Sequence, residues 1–106
     1  MIFNKLDDLE PKEIMPGFFG KFVHGNNVTM AYWEVKAGST LPEHHHVHEQ
    51  VTTLYAGEFE LTVNGETRVL RLGEPVVIPS NATHSGRAIT DCSITDVFSP
   101  IRPEYS

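Results

Sequence analysis

Residues 38–57 read GSTLPEHHHVHEQVTTLYAG and carry four histidines within five positions, His44, His45, His46 and His48. Alternate residues of a β-strand point to the same face, so a strand here would direct His44 and His46 into one cavity. Two imidazoles on one face can bind zinc, copper, iron or nickel if further ligands arrive from elsewhere. A solvated loop that binds metal only adventitiously is the alternative, and the cluster alone leaves both interpretations open.

The clearest secondary-structure signal follows this stretch. Apolar and polar residues alternate through positions 59–63, and a second strand-like run covers positions 66–72. Asn64 and Gly65 separate the two runs, and Asn-Gly is the strongest short-range hairpin signal because both turn positions tolerate positive φ. The sequence therefore predicts a β-hairpin that turns at these two residues.

Short β-branched and aromatic runs, bounded by turn residues, make up much of the remaining chain. They cover residues 28–36, 51–55, 75–79 and 92–98. No stretch keeps a 3.6-residue period, so the pattern predicts an all-β sandwich or barrel. Residues 1–16 are predicted to form an extended N-terminal arm, and residues 17–106 the barrel domain.

Composition and charge limit the classes of function. The 106 residues are expected to form one domain, and eight Lys and Arg against fourteen Asp and Glu give a net charge of −6. A phosphate-backbone binder would need clustered cations, so we expect no nucleic-acid partner. The single cysteine, Cys92, excludes an intramolecular disulfide framework and is typical of a reducing compartment. The start lacks a signal-peptide pattern and no apolar run approaches the ~20 residues that span a bilayer, so we expect a cytoplasmic location and no membrane partner.

Two spaced motifs occur in order along the chain. The first places Gly38, His44, His46, Gln50 and Gly57 with five, one, three and six residues between them. The second places Gly73, Pro79, Asn81 and His84 with five, one and two residues between them. Together they resemble the two motifs of the cupin superfamily, which usually has Glu at the position of Gln50 and Gly at that of Asn81. Asn tolerates the left-handed conformation that such a turn requires.

The resemblance implies an all-β, single-domain cupin fold, a jelly-roll-like β-barrel that holds one divalent transition metal: nickel, zinc, iron or manganese. The implied metal ligands are His44, His46, Gln50 and His84. Parity places His45 and Glu49 outside the site, although a one-residue register slip would bring Glu49 in. His48 has the parity of the same face, and its participation stays open. His24 is interpreted as an ordinary strand-end residue.

A glutamine in place of glutamate changes the charge of the implied site. Three imidazoles and an amide leave the +2 charge of a divalent ion uncancelled, whereas a glutamate would lower it to +1. A neutral ligand set favours Lewis-acid or positioning chemistry with an anionic oxygen over oxygen activation.

The C-terminal segment adds three candidate residues. Asp96 and Phe98 share one face of the last predicted strand, and Arg102 follows a proline-stiffened turn. The residues alone favour the simpler interpretation, in which Asp96 is a satisfied strand-end carboxylate and Arg102 a solvated charge. A resemblance to the small cupins of bacterial pectin and alginate breakdown is carried by three segments: HEQ (48–50), PSNATH (79–84) and DVFSPIR (96–102).

Members of that family convert 4,5-unsaturated uronates into linear keto-uronates by ring opening and tautomerisation. The resemblance implies the same metal-dependent activity here, on a small anionic sugar acid, and a homodimer. In this interpretation Arg102 holds the substrate carboxylate, Asp96 transfers protons and Phe98 packs against the sugar. The alternatives are a cupin dioxygenase or isomerase, a non-catalytic small-molecule-binding cupin, and a storage-like barrel with incidental metal.

Overall fold

The computed structural model describes residues 2–105, which form two antiparallel β-sheets around one apolar core. The strands are β1 (Lys12–Met15), β2 (Phe18–His24), β3 (Thr29–Val35), β4 (Thr40–His44), β5 (Glu49–Ala56), β6 (Phe59–Val63), β7 (Glu66–Val69), β8 (Val76–Ile78), β9 (His84–Ala88) and β10 (Cys92–Ser99). Six strands form one sheet in the order β1-β2-β3-β10-β5-β8, and four form the other in the order β4-β9-β6-β7. Single 3₁₀ turns cover Leu6–Asp8 and Pro103–Tyr105. The predicted all-β class is confirmed.

The predicted hairpin is present as β6 and β7. Asn64 and Gly65 form its turn with φ values of 48° and 82°, and Val63 pairs with Glu66 across it. Asn64 therefore adopts the left-handed conformation that the Asn-Gly pair indicates. Asn81 also has a positive φ, of 63°, which is the conformation expected where asparagine replaces glycine.

Strand β10 lies at the centre of the six-stranded sheet. Asp96 pairs with Ala31 of β3 on one side and with Thr52 of β5 on the other. Residues that face each other across strands lie on the same side of a sheet, so Asp96 points into the core between two buried neighbours. Leu54, which is 1% exposed, belongs to the same inner face, and burial of one such side chain contributes about 1.5–3 kcal/mol.

The segment before residue 17 is partly built into the larger sheet. Residues 12–15 form the edge strand β1, in which Lys12 pairs with Gly20 of β2. The Lys21 ammonium donates to the Leu6 carbonyl at 3.0 Å and so ties the preceding 3₁₀ turn to β2. Within residues 2–105, no helix is long and hydrophobic enough to span a bilayer.

After β10 the chain folds back across one end of the barrel. The Arg102 amide donates to the Thr29 hydroxyl at 2.9 Å, and Thr29 lies 2.8 Å from Nδ1 of His24. Nε2 of His24 lies 3.3 Å from the Tyr105 carbonyl. That carbonyl can only accept, so neutral His24 carries its proton on Nε2 and receives the Thr29 hydroxyl proton at Nδ1. His24, expected to be an ordinary strand-end residue, thus fixes the C-terminal segment.

Candidate metal centre

Three histidines meet where the two sheets come together. His44 ends β4 and His84 begins β9, and the two pair directly across the four-stranded sheet. His46 follows in the connection to β5. One ring nitrogen from each of the three lies within 4.8 Å of the others. His44 and His46 are partly exposed, whereas His84 is buried, so the cluster opens to solvent on one side.

The expected reason for this convergence was wrong. Strand parity requires a strand through both His44 and His46, but β4 ends at His44 and the next strand begins at Glu49. The chain turns between these residues, and the His46 carbonyl accepts the Asn81 amide at 2.8 Å. His46 therefore reaches the cluster from a loop, which the second motif anchors through Asn81.

Each of the three histidines has a fixed tautomer. In every case Nδ1 lies at hydrogen-bond distance from a backbone carbonyl two residues away, so Nδ1 carries the proton and Nε2 an unshared pair. The pairs are His44 with Pro42 (2.9 Å), His46 with His48 (3.0 Å) and His84 with Ala82 (3.0 Å). Nε2 is therefore the atom that each ring offers to a ligand.

Gln50 supplies an oxygen to the same cluster. Its amide Nε2 donates to the Thr52 hydroxyl at 3.0 Å and to Asp96 Oδ1 at 3.1 Å. These two bonds identify which side-chain atom of Gln50 is the amide nitrogen. The amide oxygen Oε1 therefore faces His46 and lies 3.2 Å from Nε2 of that imidazole. Both of these atoms carry unshared pairs, because the His46 proton is on Nδ1. A cation between them would remove their repulsion.

The cluster fits a divalent transition metal. Nε2 of His84 is buried without a hydrogen-bond partner in the described structure, and such an orphaned nitrogen is costly unless a ligand satisfies it. Burial, and then the charge of Arg102, lowers the pKa of His46 to about 4, and burial also lowers the pKa of His84. These two imidazoles are therefore neutral near pH 7, as metal ligation requires. Three imidazole nitrogens and one amide oxygen suit zinc, nickel or iron.

Asp96 lies behind Gln50 and is 8% exposed. Oδ1 accepts hydrogen bonds from the Thr52 hydroxyl at 2.6 Å and from Gln50, and Oδ2 accepts one from the Trp33 indole at 3.0 Å. Burial raises the pKa of the Asp96 carboxyl, against the opposing effect of these three donors. Oδ2 has one donor where Oδ1 has two, so Oδ2 is the oxygen better able to take up a proton.

Arg102 packs against two aromatic rings beside the candidate ligands. Its guanidinium carbon lies 4.7 Å from the centre of the Phe98 ring and 4.4 Å from that of Tyr105, so it makes cation–π contacts with both rings. Nε and Nη2 lie 3.1 and 3.0 Å from Glu104 Oε2. The side chain is 13% exposed. The three candidates Asp96, Phe98 and Arg102 therefore line one cavity with His44, Gln50 and His84.

The small size of this cavity limits what enters it. Its volume is about 50 Å³, which suits the reacting end of a ligand rather than a whole sugar ring. Tyr105 also lines the cavity, and sequence reasoning missed it. The only available signal was an aromatic residue three positions after Arg102, in a segment without strand periodicity.

The other candidate residues of the histidine-rich segment lie outside the ligand cluster. His45 and Glu49 are exposed, and Glu49 pairs with Ser99, so no register slip brings its carboxylate inward. His48 is buried, but its ring nitrogens are not part of the cluster. Its Nε2 lies instead 3.2 Å from the Ile101 carbonyl.

Comparison with known proteins is consistent with this arrangement. Residues 31–98 match the family model described as a cupin domain. The pectin degradation protein KdgF of Dickeya dadantii is 32% identical over 65 residues, which span 60% of this chain and 59% of that relative. An uncharacterised protein of Streptomyces coelicolor is 28% identical over 98 residues, covering 91% of this chain and 93% of its own length.

Solved structures superimpose over the whole chain. KdgF from Halomonas sp. has a TM-score of 0.93 and 26% identity, with 100% of this chain and 99% of that chain covered. An RmlC-like cupin from Shewanella frigidimarina has a TM-score of 0.94 and 24% identity, with 100% and 96% covered, and supports the fold. Because the family model spans most of the two sheets and both histidine motifs, the chain belongs to the cupin family.

Proposed function

We propose that this protein converts 4,5-unsaturated uronates to linear keto-uronates, in a metal-dependent reaction of bacterial polysaccharide breakdown. The observation that carries the proposal is the Arg102 guanidinium, which packs on both Phe98 and Tyr105 and lines one cavity with His44, His84 and Gln50. Similarity to a relative named for pectin degradation supports the same substrate class.

The charge of the site favours an anionic ligand. His44, His46, His84 and Gln50 are neutral donors, so a divalent ion on them keeps its full charge. Burial, with Arg102 as a further cause, lowers the pKa of both His46 and His84, and so keeps these rings neutral. An ion held by these four residues would polarise a hydroxyl or carbonyl oxygen of the substrate.

Arg102 is placed to hold the substrate carboxylate. A guanidinium offers pairs of parallel N–H donors that match the two carboxylate oxygens. The rings of Phe98 and Tyr105 both pack against the guanidinium and restrict its movement, which would also restrict the position of a carboxylate bound to it. Phe98 is 2% exposed and excludes water from this side of the site.

Asp96 is assigned the proton transfers. In ring opening the C1 hydroxyl loses its proton, the bond from C1 to the ring oxygen breaks, and the electron pair remains on that oxygen as an enolate at C5. Addition of the proton at C4 then gives the C5 ketone. Burial raises the pKa of the Asp96 carboxyl, which makes it a better base, and the same carboxyl can accept the first proton and return it in the second step.

The test follows the alkene absorbance of unsaturated uronates made by pectate and alginate lyases. We expect the metal-loaded protein to remove this absorbance, and Asp96→Asn to slow the loss at least about a hundredfold with unchanged metal content. Asp8→Asn, which alters an exposed carboxylate in the first 3₁₀ turn, is the matched control.

Wild-type rates in Asp96→Asn would refute the assignment of Asp96, and no absorbance change with any uronate would refute the proposed function. Substrate-dependent oxygen consumption by the iron-loaded protein would support a dioxygenase instead. Saturable binding of a sugar acid without turnover would support a non-catalytic binding cupin.

A further inference from the structure

His48 contacts both the metal-ligand loop and the segment that carries Arg102. Its backbone carbonyl accepts the Nδ1 proton of His46 at 3.0 Å. Its side-chain Nε2 lies 3.2 Å from the Ile101 carbonyl, which can only accept, so Nε2 carries the proton and donates it. One residue is therefore hydrogen-bonded to a candidate metal ligand and to the neighbour of Arg102.

Ring packing connects the same elements. The His48 ring meets His46 edge-on, with centres 5.4 Å apart, and meets Phe98 edge-on at 6.4 Å. Phe98 in turn lies under the guanidinium of Arg102. A shift of His48 would thus be transmitted to the guanidinium through Phe98 as well as through Ile101.

Stability alone does not explain a histidine at this position. His48 is 9% exposed, and its Nδ1 is buried without a partner in the described structure. An unpaired buried nitrogen costs free energy that an apolar side chain of similar size would avoid. What an apolar residue would not supply is the N–H donor to Ile101.

The other hydrogen bonds that hold the segment carrying Arg102 do not involve the metal-ligand loop. Thr29 holds the Arg102 amide and His24 faces the Tyr105 carbonyl, and both belong to the first part of the six-stranded sheet. They fix the segment to the barrel wall. The bond from His48 fixes it to the loop that carries His46.

We propose that His48 is a positioning residue that sets the placement of Arg102 relative to the metal ligands. The inference rests on the proposed function, because it concerns a substrate that touches the metal and Arg102 at once. A small rigid sugar acid can make both contacts fully only at one separation, so a displaced Arg102 would bind it more weakly.

The experiment compares His48→Gln with His48→Leu in the full-length, metal-loaded protein. Glutamine places an amide N–H near the position of Nε2, whereas leucine removes the donor and keeps most of the bulk. Leucine is expected to raise KM for the unsaturated uronate about tenfold, with a smaller change in kcat and full metal content. Glutamine is expected to restore KM, and His45→Leu, at the exposed neighbouring position, to leave it unchanged.

Hydrogen exchange gives a readout that does not depend on turnover. Loss of the His48 donor is expected to speed exchange of the Arg102 and Tyr105 amides, while the β10 amides keep wild-type rates. Active wild-type protein together with unchanged KM in His48→Leu would overturn the inference, and so would loss of metal in that variant. Wild-type protein inactive on every uronate would instead overturn the proposed function, and the exchange rates would still decide whether His48 anchors the segment.

Discussion

The amide of Gln50 donates to Oδ1 of Asp96 at 3.1 Å, so the candidate proton carrier orients a candidate metal ligand. This bond explains why an amide, rather than the carboxylate usual in the superfamily, fits at position 50. A glutamate there would face Asp96 with two acceptors and no donor, and like charges at that distance repel strongly. The two residues therefore act as one unit, in which Asp96 determines which atom Gln50 turns toward the histidines.

The Gln50→Glu variant tests this coupling. It replaces the Nε2 donor with a second carboxylate, so one of the two carboxyl groups is expected to hold a proton near pH 7. The expected result is bound metal with kcat/KM lowered by at least about tenfold, measured by alkene loss and by metal analysis. Wild-type kcat/KM in this variant would contradict the coupling, and Glu49→Gln, at the neighbouring exposed position, is the control.

Removal of metal should affect activity and stability together. Dialysis against a chelator is expected to abolish alkene loss, and metal returned at a hundredfold excess over its Kd should raise the free energy of unfolding by about 2.7 kcal/mol. His44→Ala should lose stoichiometric metal, whereas His45→Ala, an exposed neighbour, should keep it. Full metal content after dialysis in His44→Ala would contradict the ligand assignment.

His46 makes the metal-free protein sensitive to acid. Its pKa, lowered by burial and then by Arg102 to about 4, lies below the 6.5 of the unfolded chain. Between these values the unfolded state binds the extra proton, so this group's contribution to stability is full above pH 6.5 and is lost as the pH falls toward 4. The difference in unfolding free energy between wild type and His46→Gln should therefore vary over this range in denaturant titrations. A constant difference across this pH range would contradict a depressed pKa of His46.

Glu104 competes for the guanidinium that the substrate would need. It holds the Nε and Nη2 side of Arg102 through one oxygen, and its side chain is 51% exposed, so the pair is easily separated. Glu104→Gln is expected to lower KM for an anionic uronate by up to about fivefold, with kcat little changed. Glu66→Gln removes a more exposed pair with Arg68, away from the candidate site, and is the control. An increase in KM would show instead that Glu104 orients Arg102.

The sequence predicted those features that depend on neighbouring residues. The turn at Asn64 and Gly65 and the inward alternation of β10 follow from local backbone preferences, and the structure contains both. The convergence of His44, His46 and His84 was also expected, but for a wrong reason in the case of His46, because parity applies only along an unbroken strand.

Contacts between residues far apart in the sequence could not be predicted from local patterns. The Trp33 indole bonds Asp96 across 63 positions, and the Arg102 amide bonds Thr29 across 73. Neither pair has a local pattern that indicates its partner. The roles of Tyr105, Glu104 and His48 depend on this folded-back segment, so they became visible only with the structure. The homodimer, the cytoplasmic location and the identity of the metal stay predictions.

The four candidate ligands come from both layers of the barrel. His44 and His84 belong to the four-stranded sheet, Gln50 to the six-stranded sheet, and His46 to the loop that joins the two. An ion held by all four would act as a clasp between the layers at one end of the barrel. Such an ion would oppose separation of the two sheets, rather than loss of strand pairing within either sheet.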